Sequence, residues 1–75
     1  MRVKVKLMGL LKAASPADGT LEVPDEATIA EVLAQLEVDG QAVQVVSVNG
    51  SLQRDKQARL KPNDELLVVP PIGGG

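Results

Sequence analysis

The chain of 75 residues contains no cysteine, histidine, phenylalanine, tyrosine or tryptophan. Without cysteine, neither a disulfide nor a thiolate metal site can support the fold. Without histidine and cysteine, the chain also lacks the common zinc ligands and the base or nucleophile of Ser-His and Cys-His enzymes. We therefore expect no catalytic residue, no metal site and no bound cofactor, and a core built from Val, Leu, Ile and Ala.

Charge and hydropathy argue against two further classes of partner. The formal net charge is -2, which gives no general attraction to phosphate, and there is no aromatic ring on which unpaired bases could stack. No segment approaches the roughly 20 apolar residues that span a bilayer. Residues 1–6 alternate charged and apolar side chains, unlike a signal peptide. We expect a cytoplasmic domain that binds neither nucleic acid nor membrane.

The hydrophobic pattern predicts several strands around one helix. Strict alternation at the start of the chain indicates a strand with one buried face, and the last apolar run indicates a central strand. The turn pairs Asp18-Gly19 and Asn49-Gly50 close two hairpins, while residues 9–18 form a loop. The predicted strands are residues 2–8, 20–23, 43–48, 51–53 and 65–69.

A capping box marks the beginning of the helix. The hydroxyl of Thr28 can accept the backbone N–H of Glu31, and the carboxylate of Glu31 can reach back to the N–H of Thr28. Apolar residues at helical spacing follow, so we expect a helix over about 28–37. One helix covering one face of a four- or five-stranded mixed sheet is an α+β domain, with the first and last strands as parallel neighbours in its centre.

The chain ends in Gly73-Gly74-Gly75, directly after Pro70, Pro71 and Ile72. Glycine has no Cβ, so such a segment can enter a channel that excludes other residues, and the prolines before it keep the backbone extended. We interpret residues 70–75 as a flexible tail that leaves a domain of residues 1–69. A frayed end or an expression scar is the alternative.

Three segments together resemble the ubiquitin-like sulfur carriers. They are residues 23–36 around the capping box, the Val-Ser-Val-Asn-Gly segment at 46–50, and the stretch from Asp64 to the Pro-Pro-x-x-Gly-Gly ending. The family comprises the small subunit of molybdopterin synthase and the thiamine-biosynthesis sulfur carrier (MoaD/ThiS), and the resemblance implies its β-grasp fold. Asn63 stands where the family commonly has glycine, and asparagine tolerates the positive φ that this turn needs.

The resemblance implies a carrier that serves partner enzymes as a co-substrate. An activating enzyme that uses ATP-Mg would adenylate the carboxylate of Gly75, and sulfur would then replace AMP to leave a thiocarboxylate. Gly73 and Gly74 would thread the tail into the partner's active site. The sulfur would pass to a synthase such as the molybdopterin synthase large subunit or thiazole synthase, and the sequence leaves open which of the two.

Strand alternation predicts a partner-binding patch of Val45, Leu67 and Val69 on the open face of the sheet, near the root of the tail. Surface aliphatic residues without a role are the alternative. Two other functions also fit the same tail. One is a ubiquitin-like modifier joined through Gly75 to lysines of target proteins, and the other is an interaction module whose tail is never activated.

Overall fold

A five-stranded mixed sheet with one α-helix on one face makes up residues 1–71, the part of the chain that the computed structural model describes. The strand order is β2-β1-β5-β3-β4. The parallel pairing of β1 with β5 confirms the predicted central neighbours, and the other pairings are antiparallel. The elements are β1 (Arg2–Leu7), β2 (Thr20–Glu22), α1 (Ile29–Gln35), β3 (Val45–Val48), β4 (Ser51–Gln53) and β5 (Glu65–Val69).

Alternation along the strands separates a buried face from an open face. Along β1, the even-numbered basic residues are exposed and the odd-numbered apolar residues are buried. Leu66 and Val68 of β5 are fully buried on the same side, and they belong to the same core cluster as Ile29 and Val32 of α1. Every buried core residue is aliphatic, and no buried polar side chain occurs within residues 1–71. The expected core of Val, Leu, Ile and Ala is therefore confirmed.

The α-helix is shorter than the predicted 28–37 because its C-terminus closes early. Glu37 has a left-handed backbone with φ of 60°. Its N–H donates to the carbonyl of Ala34 at 3.0 Å, and the N–H of Val38 donates to the carbonyl of Leu33 at 2.9 Å. These two bonds form a Schellman motif, which satisfies carbonyls at the helix end.

No helix within the described residues has the length and apolar character that crossing a bilayer requires.

One of the two predicted capping-box hydrogen bonds is present, and the other is replaced by a bond between the two side chains. The N–H of Glu31 donates to the hydroxyl oxygen of Thr28 at 3.1 Å, as expected. The carboxylate of Glu31, however, accepts from the Thr28 hydroxyl at 3.3 Å, and not from the backbone N–H. A hydroxyl offers both an acceptor and a donor, so the Thr28 side chain serves both bonds.

Two predicted boundaries were wrong because short 3-10 helices occupy them. Gly9–Ala14 is a 3-10 helix where a loop was predicted, and Leu11 and Ala14 pack partly against the core. Gly40–Ala42 is a second one, and β3 therefore starts only at Val45. The carboxylate of Asp39 accepts the N–H of Gln41 at 2.9 Å and begins this turn.

The tight turns follow the sequence predictions. Asn49 and Gly50 have φ of 52° and 85°, and positive values at both central residues are typical of the type I′ turn that joins two antiparallel strands. Asn63 has φ of 67°, so asparagine does accept the conformation expected there. This turn leads directly into β5, the strand that carries the root of the tail.

Candidate functional site

The end of β5 is held by both of its neighbours. On one side the N–H of Met8 donates to the carbonyl of Val68 at 3.0 Å, and on the other the N–H of Gln44 donates to the carbonyl of Val69 at 2.8 Å. Pro70 is half-buried, and Pro71 is exposed. The chain thus stays fixed to the domain one residue beyond the strand.

Pro70 lies in close contact with the backbone of Gly9. Gly9 follows β1 with a left-handed backbone, φ of +56°. A Cβ atom at this position would lie 2.9 Å from Cγ of Pro70 and 3.6 Å from its Cδ. The first of these distances is shorter than any normal carbon contact, so the proline ring occupies space that only a glycine leaves free.

Gly73, Gly74 and Gly75, the predicted tail-threading and activation residues, lie outside the described residues. Of the predicted tail of residues 70–75, the structure describes only the two prolines. The chemical assignment of Gly75 therefore stays a prediction.

The predicted patch residues lie together on the open face of the sheet. Val45 and Val69 are directly opposite each other in the antiparallel pair of β3 and β5. Leu67 lies two residues before Val69 on the same strand, so its side chain points to the same face. All three are half-buried. They surround the point where the chain leaves the sheet, and their binding role stays a prediction.

Sequence analysis missed two more exposed apolar residues on this face. Met8 is 40% exposed and continues the alternation of β1, which places it beside Val69. Leu52 is 55% exposed and lies opposite Ser47, which in turn lies opposite Leu67. Alternation could have found Met8, and the register of the Asn49-Gly50 hairpin could have found Leu52. We call Met8, Val45, Leu52, Leu67 and Val69 the apolar patch.

Basic side chains border the apolar patch on two sides. Lys6 of β1 lies opposite Leu67, and Arg54 and Lys56 line a groove together with Val45 and Leu52. Within residues 1–71, none of these three cations makes an ion pair. The patch is therefore an apolar centre with three cations at its rim, on a chain whose net charge is negative. The carboxylate of Glu65 also lies at this rim, where it lines a groove with Lys6 and Leu67.

The strand order, the one α-helix within residues 1–71 and the central C-terminal strand define a ubiquitin-like β-grasp protein. A comparison with protein families matches residues 5–75 to the ThiS family. The chain therefore belongs to the ThiS family, and the match extends through the terminal glycines. No curated protein matches the chain significantly.

Solved structures share the fold at low sequence identity. SAMP1 from Haloferax volcanii is 21% identical, with a TM-score of 0.74 over 100% of both chains. A second structure, H. volcanii small archaeal modifier protein 1, is 20% identical with a TM-score of 0.70, over 95% of this chain and 98% of that one. A complex of subunits 1 and 2 of the molybdopterin-converting factor from Helicobacter pylori 26695 gives 21% identity and a TM-score of 0.62 over 100% of both chains.

Proposed function

We propose that this protein is a sulfur carrier whose Gly75 is activated at its carboxylate and converted to a thiocarboxylate. The observation that carries the proposal is the ThiS family match, because it includes the terminal glycines as well as the folded domain. The position of the tail root supports it further, since β5 ends beside the apolar patch on which a partner can dock.

The chemistry needs only the chain end and a partner enzyme. An α-carboxyl group has a pKa of about 3.5, so it is ionised at neutral pH. One carboxylate oxygen attacks the α-phosphorus of ATP, and pyrophosphate leaves with the electrons of the broken P–O bond. Hydrosulfide supplied by the partner system then attacks the carbonyl carbon, and AMP leaves with the electrons of the broken C–O bond. Loss of the remaining S–H proton gives the thiocarboxylate. The acyl-adenylate must be shielded from water, and a glycine tail enters a narrow, dry channel most easily.

The apolar patch is the surface on which the proposed partners dock. Its apolar centre would bury against the activating enzyme, while the cations at its rim would face acidic side chains of that enzyme. The same surface is available to the sulfur-accepting synthase in a later step, since the two encounters follow one another. In this proposal the reacting group is the carboxylate of Gly75, and the protein acts as a co-substrate of its partner enzymes.

The acceptor we propose is a cofactor-forming synthase of the cytoplasm, either the molybdopterin synthase large subunit or thiazole synthase. The H. pylori neighbour was solved as a complex of two subunits of the molybdopterin-converting factor, which is an example of the first arrangement at an identity that establishes the fold alone. The ThiS family match supports the second.

Intact-mass analysis of the protein purified from its own cells tests the proposal. A thiocarboxylate makes the chain heavier by the difference between one sulfur and one oxygen atom. Incubation with ATP-Mg and the activating enzyme of the same organism should first yield the acyl-adenylate. Deleting Gly75 should abolish both products without changing the fold, because β5 and its contacts end before it. If only the free acid appears after that incubation, the proposal is wrong.

The same measurement separates the carrier from a protein modifier. Two neighbours of the same fold are described as small archaeal modifier proteins, at an identity that establishes the fold alone. A modifier would appear as conjugates in which the Gly75 carbonyl is joined to a lysine of another protein. Conjugates without any thiocarboxylate would therefore favour the modifier.

A further inference from the structure

We infer that Gly9 is a positioning residue for the tail, acting through its contact with Pro70. This inference rests on the proposed function, because it explains how a domain that docks correctly also directs its carboxylate correctly. Gly9 lies far from the tail in the sequence, at the junction of β1 and the first 3-10 helix.

The contact follows from two features of the Gly9 backbone. Its φ of +56° turns the chain sharply out of β1 into the 3-10 helix, and this brings the backbone under the ring of Pro70. Because Gly9 has no Cβ, the ring can occupy a position in which the Cβ of any other residue at position 9 would lie 2.9 Å from Cγ of Pro70. The position of the proline ring is thus defined by Gly9, beyond the last hydrogen bonds of β5.

The contact between Gly9 and Pro70 controls the direction in which the tail leaves the domain. The carbonyls of Val68 and Val69 accept hydrogen bonds from Met8 and Gln44, the residues next to β1 and β3, so moving β5 to relieve a clash at Pro70 would break these bonds. Displacement of the ring must therefore turn the chain that follows. Because a reacting group displaced by about 1 Å can lose on the order of a hundredfold in rate, the direction at Pro70 matters to a carboxylate five residues later.

The chain offers a matched control for the strain of a side chain at positive φ. Gly19 has φ of +77°, and a Cβ there meets nothing within 4 Å. Gly9→Ala and Gly19→Ala therefore share backbone strain, but only the first meets Pro70. Both variants should lower the urea midpoint, and Gly9→Ala should lower it at least as much as Gly19→Ala because the contact with Pro70 adds to the strain.

The readout is adenylation by the activating enzyme, followed as ATP–pyrophosphate exchange at varied concentrations of the protein. We expect Gly9→Ala to lower kcat about tenfold or more, and Gly19→Ala to leave it within about twofold, since misplacement of the reacting group is the dominant cost. KM should stay unchanged in both, because the apolar patch still docks. Equal losses of kcat in the two variants would overturn the inference.

A double-mutant cycle tests whether Gly9 acts through Pro70. Pro70→Ala removes Cγ and Cδ, the two atoms that a side chain at position 9 would meet. In that background, Gly9→Ala should change kcat by less than about threefold, which would show coupling between the two sites. Additive effects would mean that Gly9 acts by another route.

An independent readout separates this inference from the proposed function. In NMR spectra of the free protein, Gly9→Ala should shift the Cγ and Cδ resonances of Pro70, whereas Gly19→Ala should leave them in place. If the wild-type protein is not adenylated but these shifts occur, the proposed function fails and the contact stands. If adenylation proceeds and the shifts are absent, the role of Gly9 is refuted.

Discussion

The side-chain amide nitrogen of Asn49 donates a hydrogen bond of 2.9 Å to Oδ1 of Asp64, and this bond ties the β3–β4 turn to the start of β5. The amide oxygen of Asn49 also accepts the N–H of Glu65 at 2.9 Å, while Oδ2 of Asp64 accepts the N–H of Lys61 at 2.7 Å. The asparagine of the Val-Asn-Gly segment therefore combines a positive φ with a polar clamp on the strand that carries the tail.

We expect Asn49→Gly to lower the free energy of unfolding by about 1–2 kcal/mol, because glycine keeps the positive φ but removes both side-chain hydrogen bonds. Asn63→Gly is the matched control, since Asn63 also has positive φ and its side chain makes no hydrogen bond within residues 1–71. Urea unfolding followed by far-UV circular dichroism measures both. Equal effects at the two positions would contradict the clamp.

Glu37→Gly should stabilise the protein by about 1 kcal/mol, since a left-handed backbone is unfavourable for residues with a Cβ. Glu37 is exposed and closes the Schellman motif of α1, so the change sacrifices little else. Ala34→Gly, within the same helix, should instead destabilise by about 1 kcal/mol. The same urea titration compares the two variants, and destabilisation by Glu37→Gly would be inconsistent with a strained C-terminus.

Leu67→Glu should weaken binding to the activating enzyme about tenfold or more, because a carboxylate placed in the centre of a docking surface loses burial and gains a desolvation cost. Ala34→Glu adds the same charge to the exposed side of α1, on the other face of the sheet, and should leave affinity unchanged. Calorimetric titration with the activating enzyme measures both. Unchanged affinity of the Leu67→Glu variant would show that the activating enzyme does not dock on the apolar patch.

Lys6→Glu tests the charge at the rim of the patch. Because exposed charges act over roughly 10 Å at 0.1 M salt, the variant should associate more slowly with the enzyme, and salt should lower its association rate less than it lowers that of the wild-type protein. Lys61→Glu, in the turn before β5, is the control for net charge. Stopped-flow association at several salt concentrations measures the effect, and identical behaviour of the two variants would exclude an acidic partner rim.

Asp18 gives a prediction for acid stability. Its carboxylate accepts the backbone N–H of Thr20 at 3.0 Å, and this bond holds the pKa of Asp18 below its ordinary value of 3.8. A carboxyl with a lowered pKa contributes stability that is complete above the unfolded pKa and is lost as pH falls through the folded pKa. Asp18→Asn should therefore flatten the acid limb of the stability curve. A side-chain NMR titration that gives a pKa of Asp18 above 3.8 would contradict this.

The strands were predictable because each one is marked by a strong local signal. Alternation defined β1, and Asn49-Gly50 fixed the hairpin of β3 and β4. The first 3-10 helix was not predictable, since its only local signal is Gly9, and the reason for that glycine is a contact with Pro70. The early end of α1 was not predictable either, because the left-handed position after the helix is occupied by Glu37 and not by the glycine that usually marks it.

Part of the patch was predictable for a related reason. Val45, Leu67 and Val69 follow from period two along strands that were already placed. Leu52 required the register of β4, which brings it opposite Ser47, and register comes from pairing between strands. The excess of cations at the rim likewise depends on which side chains the fold brings together, so the sequence alone could not reveal it.

The placement of β5 also decides how the protein responds to force. β5 lies between β1 and β3 and is hydrogen-bonded to both. A pull along the chain at Pro70 is therefore directed along these ladders, and it loads many hydrogen bonds in shear at the same time instead of opening them one by one. An enzyme that binds the C-terminal segment can therefore apply force to it without unfolding the domain.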